Sequence, residues 1–197
     1  MINCKPGLTL LLALVAMTST QGAEFSIGQE TSGDIAIHID GQLFTRYVTT
    51  DTVTNKCYFW PVIGPGGVKM TRAYPMQDIK GEKQDHPHHR SVCFGLQNAG
   101  GFNTWHEALT YTKNGKVDPS RMSTSGRQVH TKVIKAKTSG MSATLVVECS
   151  NVNPRGEIYM RQTRKVNFHV SDNGSRVMDI EILLKGIQDN ITIHGKK

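Results

Sequence analysis

The chain has 197 residues, with 23 Lys and Arg against 16 Asp and Glu, a formal charge of +7 and 38% hydrophobic residues. That length allows one domain with a sizeable core. The basic residues are scattered instead of gathered into a run, so the surplus does not point to nucleic acid; an anionic or polyhydroxyl ligand fits it at least as well.

Residues 1–23 read as a secretory signal: Lys5 supplies a positive start, Leu8 to Met17 an apolar run, and Thr20-Gln21-Gly22-Ala23 a small-residue cleavage zone. The run is too short to cross a bilayer, which takes about 20 apolar residues. No later segment is long and apolar enough either. The expectation is an exported protein, periplasmic or extracellular, without a membrane span, whose mature domain occupies 24–197. Losing Lys5 lowers the charge from +7 to +6. Cys57, Cys93 and Cys149 survive processing, an odd and widely spaced set that is no disulfide framework. Each lies in an apolar run, which predicts buried thiols with at most one disulfide.

In chain order, Ile35, Ile37 and Ile39 alternate with Ala36, His38 and Asp40, the period of a half-buried strand. Asp40-Gly41 then predicts a tight hairpin into Leu43 to Val48. Cys57 to Ile63 is another apolar run, ended by Gly64-Pro65-Gly66-Gly67. No Gly-Lys-Ser/Thr follows that tetrad, so it reads as a turn and not as a phosphate loop. Met70 to Gln84 is a polar loop, Ser91 to Leu96 a short buried strand, and Asn98-Ala99-Gly100-Gly101 a flexible loop. Residues 107–125 form a long surface loop, of the kind that often serves as a lid.

Strands resume over 128–137, 143–150, 157–170 and 176–185, the last two joined by Asp172-Asn173-Gly174. In the third of these, Ile158, Met160, Val166, Phe168 and Val170 share a face that Gln162 and Arg164 interrupt. Arg164 is either buried with a carboxylate or ligand partner or exposed by a bulge, and both readings stand open. Asn190 to Ile193 begins one more strand shortly before the chain stops, which suggests a domain incomplete at its C-terminus. With no convincing helix, the expected fold is all-β, an antiparallel β-sandwich.

The chemistry is concentrated elsewhere. Asp85-His86-Pro87-His88-His89-Arg90 is followed by Trp105-His106-Glu107, all within 23 residues. Pro87 disfavours helix at His86, and an extended segment would put His86 and His88 on one face with Asp85 and His89 on the other. A His-x-His pair can chelate one divalent metal ion, with Glu107, His106 or His130 completing the shell. The same imidazoles can instead move protons, tuned by Asp85 or Arg90. The spacing matches no standard zinc signature.

These segments, together with Gly126-Arg127-Gln128-Val129-His130, resemble an exported bacterial family labelled "methane oxygenase PmoA", a domain of unknown function. The resemblance runs from about Gly33 to the C-terminus and rests on the HPHHR and downstream WHE motifs. It implies a β-sandwich related to part of the galactose-mutarotase-like supersandwich, and an association with sugar-processing enzymes. Two departures stand out: typical members continue for roughly a hundred residues more, and Leu96 to Thr104 here lacks the His and acidic residue that relatives carry.

The expected function is therefore a carbohydrate-active enzyme that cleaves, eliminates or epimerises a sugar, with a carbohydrate or other small polar ligand as partner. His88, His89, Arg90, His106 and Glu107 are the catalytic candidates, Trp105, Arg164 and His130 the substrate-binding ones. His86, His88, His106 and Glu107 would hold a metal if one assists. A non-catalytic sugar-binding module or degenerate family member is the alternative, and a metal-dependent oxygenase a third reading.

Overall fold

The computed structural model describes residues 22–49, 53–187 and 190–195, so the expected signal falls almost wholly outside the described residues. The period-two segments form strands, in the order β1 (Phe25–Gln29), β2 (Ile35–Ile39), β3 (Gln42–Val48), β4 (Tyr58–Val62), β5 (Val92–Cys93), β6 (Thr112–Lys113) and β7 (Lys116–Val117). A one-turn helix, α1 (Pro119–Met122), follows. Four longer strands complete the set: β8 (Arg127–Ser139), β9 (Ser142–Val152), β10 (Ile158–Val170) and β11 (Arg176–Gly186). Strands β1 to β5 form one antiparallel sheet in sequence order, β8 to β11 a second, and β6 with β7 a small ribbon.

Turn chemistry fixes the registers. Asp40 and Gly41 both take left-handed backbone, with φ of 52° and 74°, so Gln42 faces Ile39 across a two-residue hairpin. Gly174, at φ 81°, lies in the turn between β10 and β11, which then pair without a break from Val170↔Arg176 to Met160↔Gly186.

The two larger sheets face each other across a shared apolar core, which makes the fold an all-β sandwich. Ile35, Ile37, Ile39, Phe44, Tyr47 and Phe59 from one sheet cluster with Ala143, Leu145, Val147, Val166 and Phe168 from the other. Burying each of the larger side chains is worth about 1.5–3 kcal/mol. Phe168 meets Phe44 and Phe59 edge-on, both at 6.0 Å between centroids.

The pairing register decides where Arg164 points. Its only irregularity against β9 lies between Ile158 and Met160, so the alternation runs unslipped through Gln162 and Arg164 and both face inward. Arg164 is buried, and the guanidinium is held by neutral oxygens: Gln128 Oε1 at 2.5 Å, Gln162 Oε1 at 2.8 Å and the Cys57 carbonyl at 3.1 Å.

Three local expectations are corrected. The strand expected over 91–96 shrinks to the two residues of β5. Ser91 is left-handed at φ 52°, while Leu96 N–H and the Phe94 carbonyl bond to the side chains of Thr104 and Gln128. The strand expected over 190–193 is an isolated bridge, Ile193 to Ala99, with Ile191 packed against the small buried cluster of Ala99, Tyr159 and Met160. The stretch 107–125 is not featureless: it holds a 3-10 turn (Ala108–Tyr111), the β6–β7 ribbon and α1. Among the described residues no helix is long and apolar enough to cross a membrane.

Candidate functional site

The segment 85–90 is a turn, not an extended strand, and this overturns the expected division of its imidazoles between two faces. His86 is left-handed at φ 47°, and its carbonyl accepts the His89 N–H at 2.9 Å. Such a backbone is costly for a residue with a side chain unless its surroundings hold it. Arg72 supplies the hold, donating to Asp85 Oδ1 at 2.7 Å, to the Asp85 carbonyl at 2.6 Å and to the His86 carbonyl at 2.7 Å. Those bonds keep the Asp85 carboxyl below its ordinary range, with His86 acting in the same direction.

The turn gathers three imidazoles, and the Trp105-His106 segment brings a fourth. His86 stacks on His89 at 5.0 Å, and His88 meets His89 at 4.4 Å, His106 at 4.7 Å, Trp105 at 5.6 Å and His86 at 5.9 Å. His88 is therefore the hub. It is buried, with Nδ1 against Thr110 Oγ1 at 3.2 Å, whereas His86 and His89 are exposed. Burial first, and then the neighbouring imidazoles and Lys56, push the His88 pKa down to about 4. His89 is lowered too, by burial and by His86 and Arg72. At neutral pH His88 is an uncharged imidazole with a lone pair to offer.

Backbone geometry places the Trp-His-Glu segment. A side chain at Gly95 would stand 2.7 Å from the Thr104 carbonyl and 2.9 Å from Trp105 Cα, so this crossing requires glycine. Asn103 Oδ1 accepts the N–H groups of Trp105 and His106, both at 2.9 Å. With the oxygen so committed, the Asn103 amide nitrogen is the atom facing His106 Nδ1, at 3.3 Å. It donates there, which leaves the neutral His106 carrying its proton on Nε2.

Glu107 turns the other way. Its carboxylate accepts from Arg90 Nη2 at 2.7 Å and Nε at 2.9 Å, from Thr54 Oγ1 at 2.8 Å and from Lys56 Nζ at 3.3 Å. Glu107 and Lys56 have fully buried side chains, and that of Arg90 is 2% exposed. Burial raises the Glu107 pKa, but Arg90 and Lys56 outweigh it and hold the group below its ordinary value. Burial pulls Lys56 down, and Glu107 opposes that only in part.

The four residues named as metal ligands are thus not brought together. His86 and His106 each meet His88, but Glu107 is engaged by Arg90, Lys56 and Thr54. Among the described residues no group of three or more His, Cys, Asp or Glu is arranged to hold a metal ion. Nor do the outlying substrate-binding candidates reach the cluster. Arg164 lies inside the sandwich among amides, and His130 on β8 sits against Tyr47 at 5.7 Å, its Nδ1 buried without a hydrogen-bond partner. Trp105 does line the cluster, half-buried against His88 and His89.

Beside His106 opens a cleft of about 450 Å³, whose walls include Asn98, Asn103, Tyr111, Arg121, Thr124 and His194. Asn98 and His194 belong to segments tied together by the His194 N–H on the Asn98 carbonyl, at 3.0 Å. Arg121 lies over the Tyr111 ring at 5.9 Å, and Tyr111 meets His106 at 5.7 Å. Sequence reasoning missed this wall, because Tyr111, Arg121 and His194 carry no local pattern and meet only where the 3-10 turn, α1 and the 190–195 segment pack together. The Asn103-x-x-His106 spacing was the one readable signal, since Asn favours side-chain bonds to backbone N–H groups just ahead of it.

No curated protein and no solved structure matches the chain. Residues 34–197, which hold the sandwich, the imidazole cluster and the cleft, match a family model described as "Family of unknown function (DUF6807)", and the chain belongs to that family.

Proposed function

We propose that this chain is an exported carbohydrate-active protein that binds a sugar in the cleft beside His106 and acts on it with the imidazole cluster. The observation that carries the reading is the continuity of the two features. An open cleft walled by amides, a phenol ring and a guanidinium shares His106 with a neutral, buried His88. Amide and hydroxyl groups suit a ligand that is mostly hydroxyls, and a ring face such as Tyr111 suits its C–H face. Cleavage, elimination and epimerisation of a sugar all need one proton removed and another delivered. His106 offers its Nε2–H, and His88 the lone pair of an imidazole kept neutral by burial. Arg90 acts on the far side, by holding Glu107.

The test is turnover and binding on a panel of mono- and oligosaccharides with the mature chain, beside His88→Gln and His106→Gln. Turnover lost in both variants, with the fold retained, supports the reading; undiminished turnover in both removes the catalytic roles. A second reading, sugar binding without turnover, is favoured by the engagement of Glu107 and of Asp85 in ion pairs; among the described residues no carboxylate pair faces the cleft in the manner of a glycosidase. Saturable binding with no product over the whole panel would select it.

A further inference from the structure

We infer that the cleft is built for a sugar bearing a carboxylate, with Arg121 as the group that selects it. The inference rests on the sugar-binding reading and deepens it. Contacts between rings and the guanidinium run in a row from the cluster into the cleft: His88 to His106 at 4.7 Å, His106 to Tyr111 at 5.7 Å and Tyr111 to the Arg121 guanidinium at 5.9 Å. The row ends on a permanent cation. Its planar fork of N–H groups matches a carboxylate with two parallel bonds, which a lysine does not do.

Local structure holds that cation in place. Asp118 caps α1 by accepting the Ser120 N–H at 2.9 Å, and Pro119 opens the helix with its φ already set. Arg121 projects from this one-turn helix onto the Tyr111 face, and the ring limits the directions in which the guanidinium can swing. The opposite wall carries His194 and Asn98, and the described residues that line the cleft include Arg121, two imidazoles and three side-chain amides but no Asp or Glu. Asp118, which caps the same helix, feels the Arg121 charge, but no carboxylate lines the cleft, so a uronic acid gives the guanidinium a partner there that a neutral sugar does not. With the carboxylate seated on Arg121, the ring of the sugar extends past Tyr111 toward His106, where the proton-handling groups stand.

The experiment is isothermal titration of the mature chain with matched pairs: glucuronate against glucose, oligogalacturonate against a neutral oligosaccharide of equal length, and a 6-sulfated hexose. The expected result is uronate binding about tenfold tighter than its neutral partner, as charge-assisted bonds predict. The preference should shrink as salt is raised through the range that screens exposed charge. Arg121→Gln should bring the ratio near one with an unchanged thermal midpoint, and Arg121→Lys should restore only part of it. Equal binding of charged and neutral sugars would overturn the selectivity while leaving the sugar-binding reading standing. Binding of the sulfated sugar alone would overturn the carboxylate assignment. No binding by any sugar, with the protein folded, would overturn both readings together.

Discussion

The chain carries two clusters of ionisable groups a few residues apart, and they obey opposite rules. Arg90, Glu107 and Lys56 are almost completely buried, and the Glu107 carboxylate is saturated by donors. His86, His88, His89 and His106 form a chain of ring contacts, and of the four only His88 is buried. Charges taken out of water survive by pairing, so the first cluster is spent on holding the Trp-His-Glu segment against the sandwich. Imidazoles can be neutral near pH 7, so the second cluster does not depend on ion pairing, although His86 Nδ1 lies 3.3 Å from Asp85 Oδ2 and the Nδ1 atoms of His88 and His106 are engaged by Thr110 and Asn103. The motif is therefore divided: His88 and His106 belong to the imidazole cluster, while Arg90 and Glu107 form a buried ion pair that anchors the segment.

The largest effect that would break this contrast comes from Glu107→Gln. It leaves Arg90 and Lys56 buried without their shared carboxylate, and the expected loss is about 3–5 kcal/mol in urea unfolding. A loss under about 1 kcal/mol would show that the ion cluster holds nothing.

The imidazole cluster answers to pH instead. Native His88 stays unprotonated down to about pH 4, while the unfolded chain takes up that proton near the ordinary value of 6.5. The unfolded state then binds more protons, so stability falls as pH falls from 6.5 to 4, by up to about 3 kcal/mol, and His89 adds to the slope in the same direction. Denaturation curves at several pH values should show His88→Gln flattening that slope while changing little at pH 7.5.

Arg72→Ala tests the link between the turn and the side chain that staples it. It removes three hydrogen bonds from a half-buried side chain, for a loss of about 1–2 kcal/mol. The stacked His86–His89 pair should loosen, read as line broadening of their imidazole resonances. Sharp, unmoved lines would mean that the turn holds itself.

The smallest effect concerns one imidazole proton alone. Asn103→Asp keeps an oxygen for the Trp105 and His106 N–H groups but replaces the amide donor with an acceptor, so the neutral His106 proton should move from Nε2 to Nδ1. Nitrogen chemical shifts of the imidazole report that tautomer directly, with stability changed by about 0.5 kcal/mol or less. An unmoved proton would show that Asn103 does not orient the ring.

What the sequence by itself determined is what short-range rules control. Period-two alternation marked the long strands to within two residues at their ends, and Asp40-Gly41 and Asp172-Asn173-Gly174 marked their hairpins, because pleat and turn geometry are properties of the local backbone. The crowding of His86, His88, His89 and His106 was equally visible as spacing along the chain.

Partner choice was decided only by the tertiary structure. Glu107 meets Lys56 and Thr54 from a segment some fifty residues earlier, Arg164 is answered by Gln128 and the Cys57 carbonyl, and Arg121 reaches the cleft through loop packing. The left-handed turn at His86, held by Arg72, likewise put His89 beside His86 where an extended chain would have parted them. Charges and imidazoles interact through space, over a few ångströms, and the distance between two residues in space is set by how the sheets and loops pack, which no local pattern encodes.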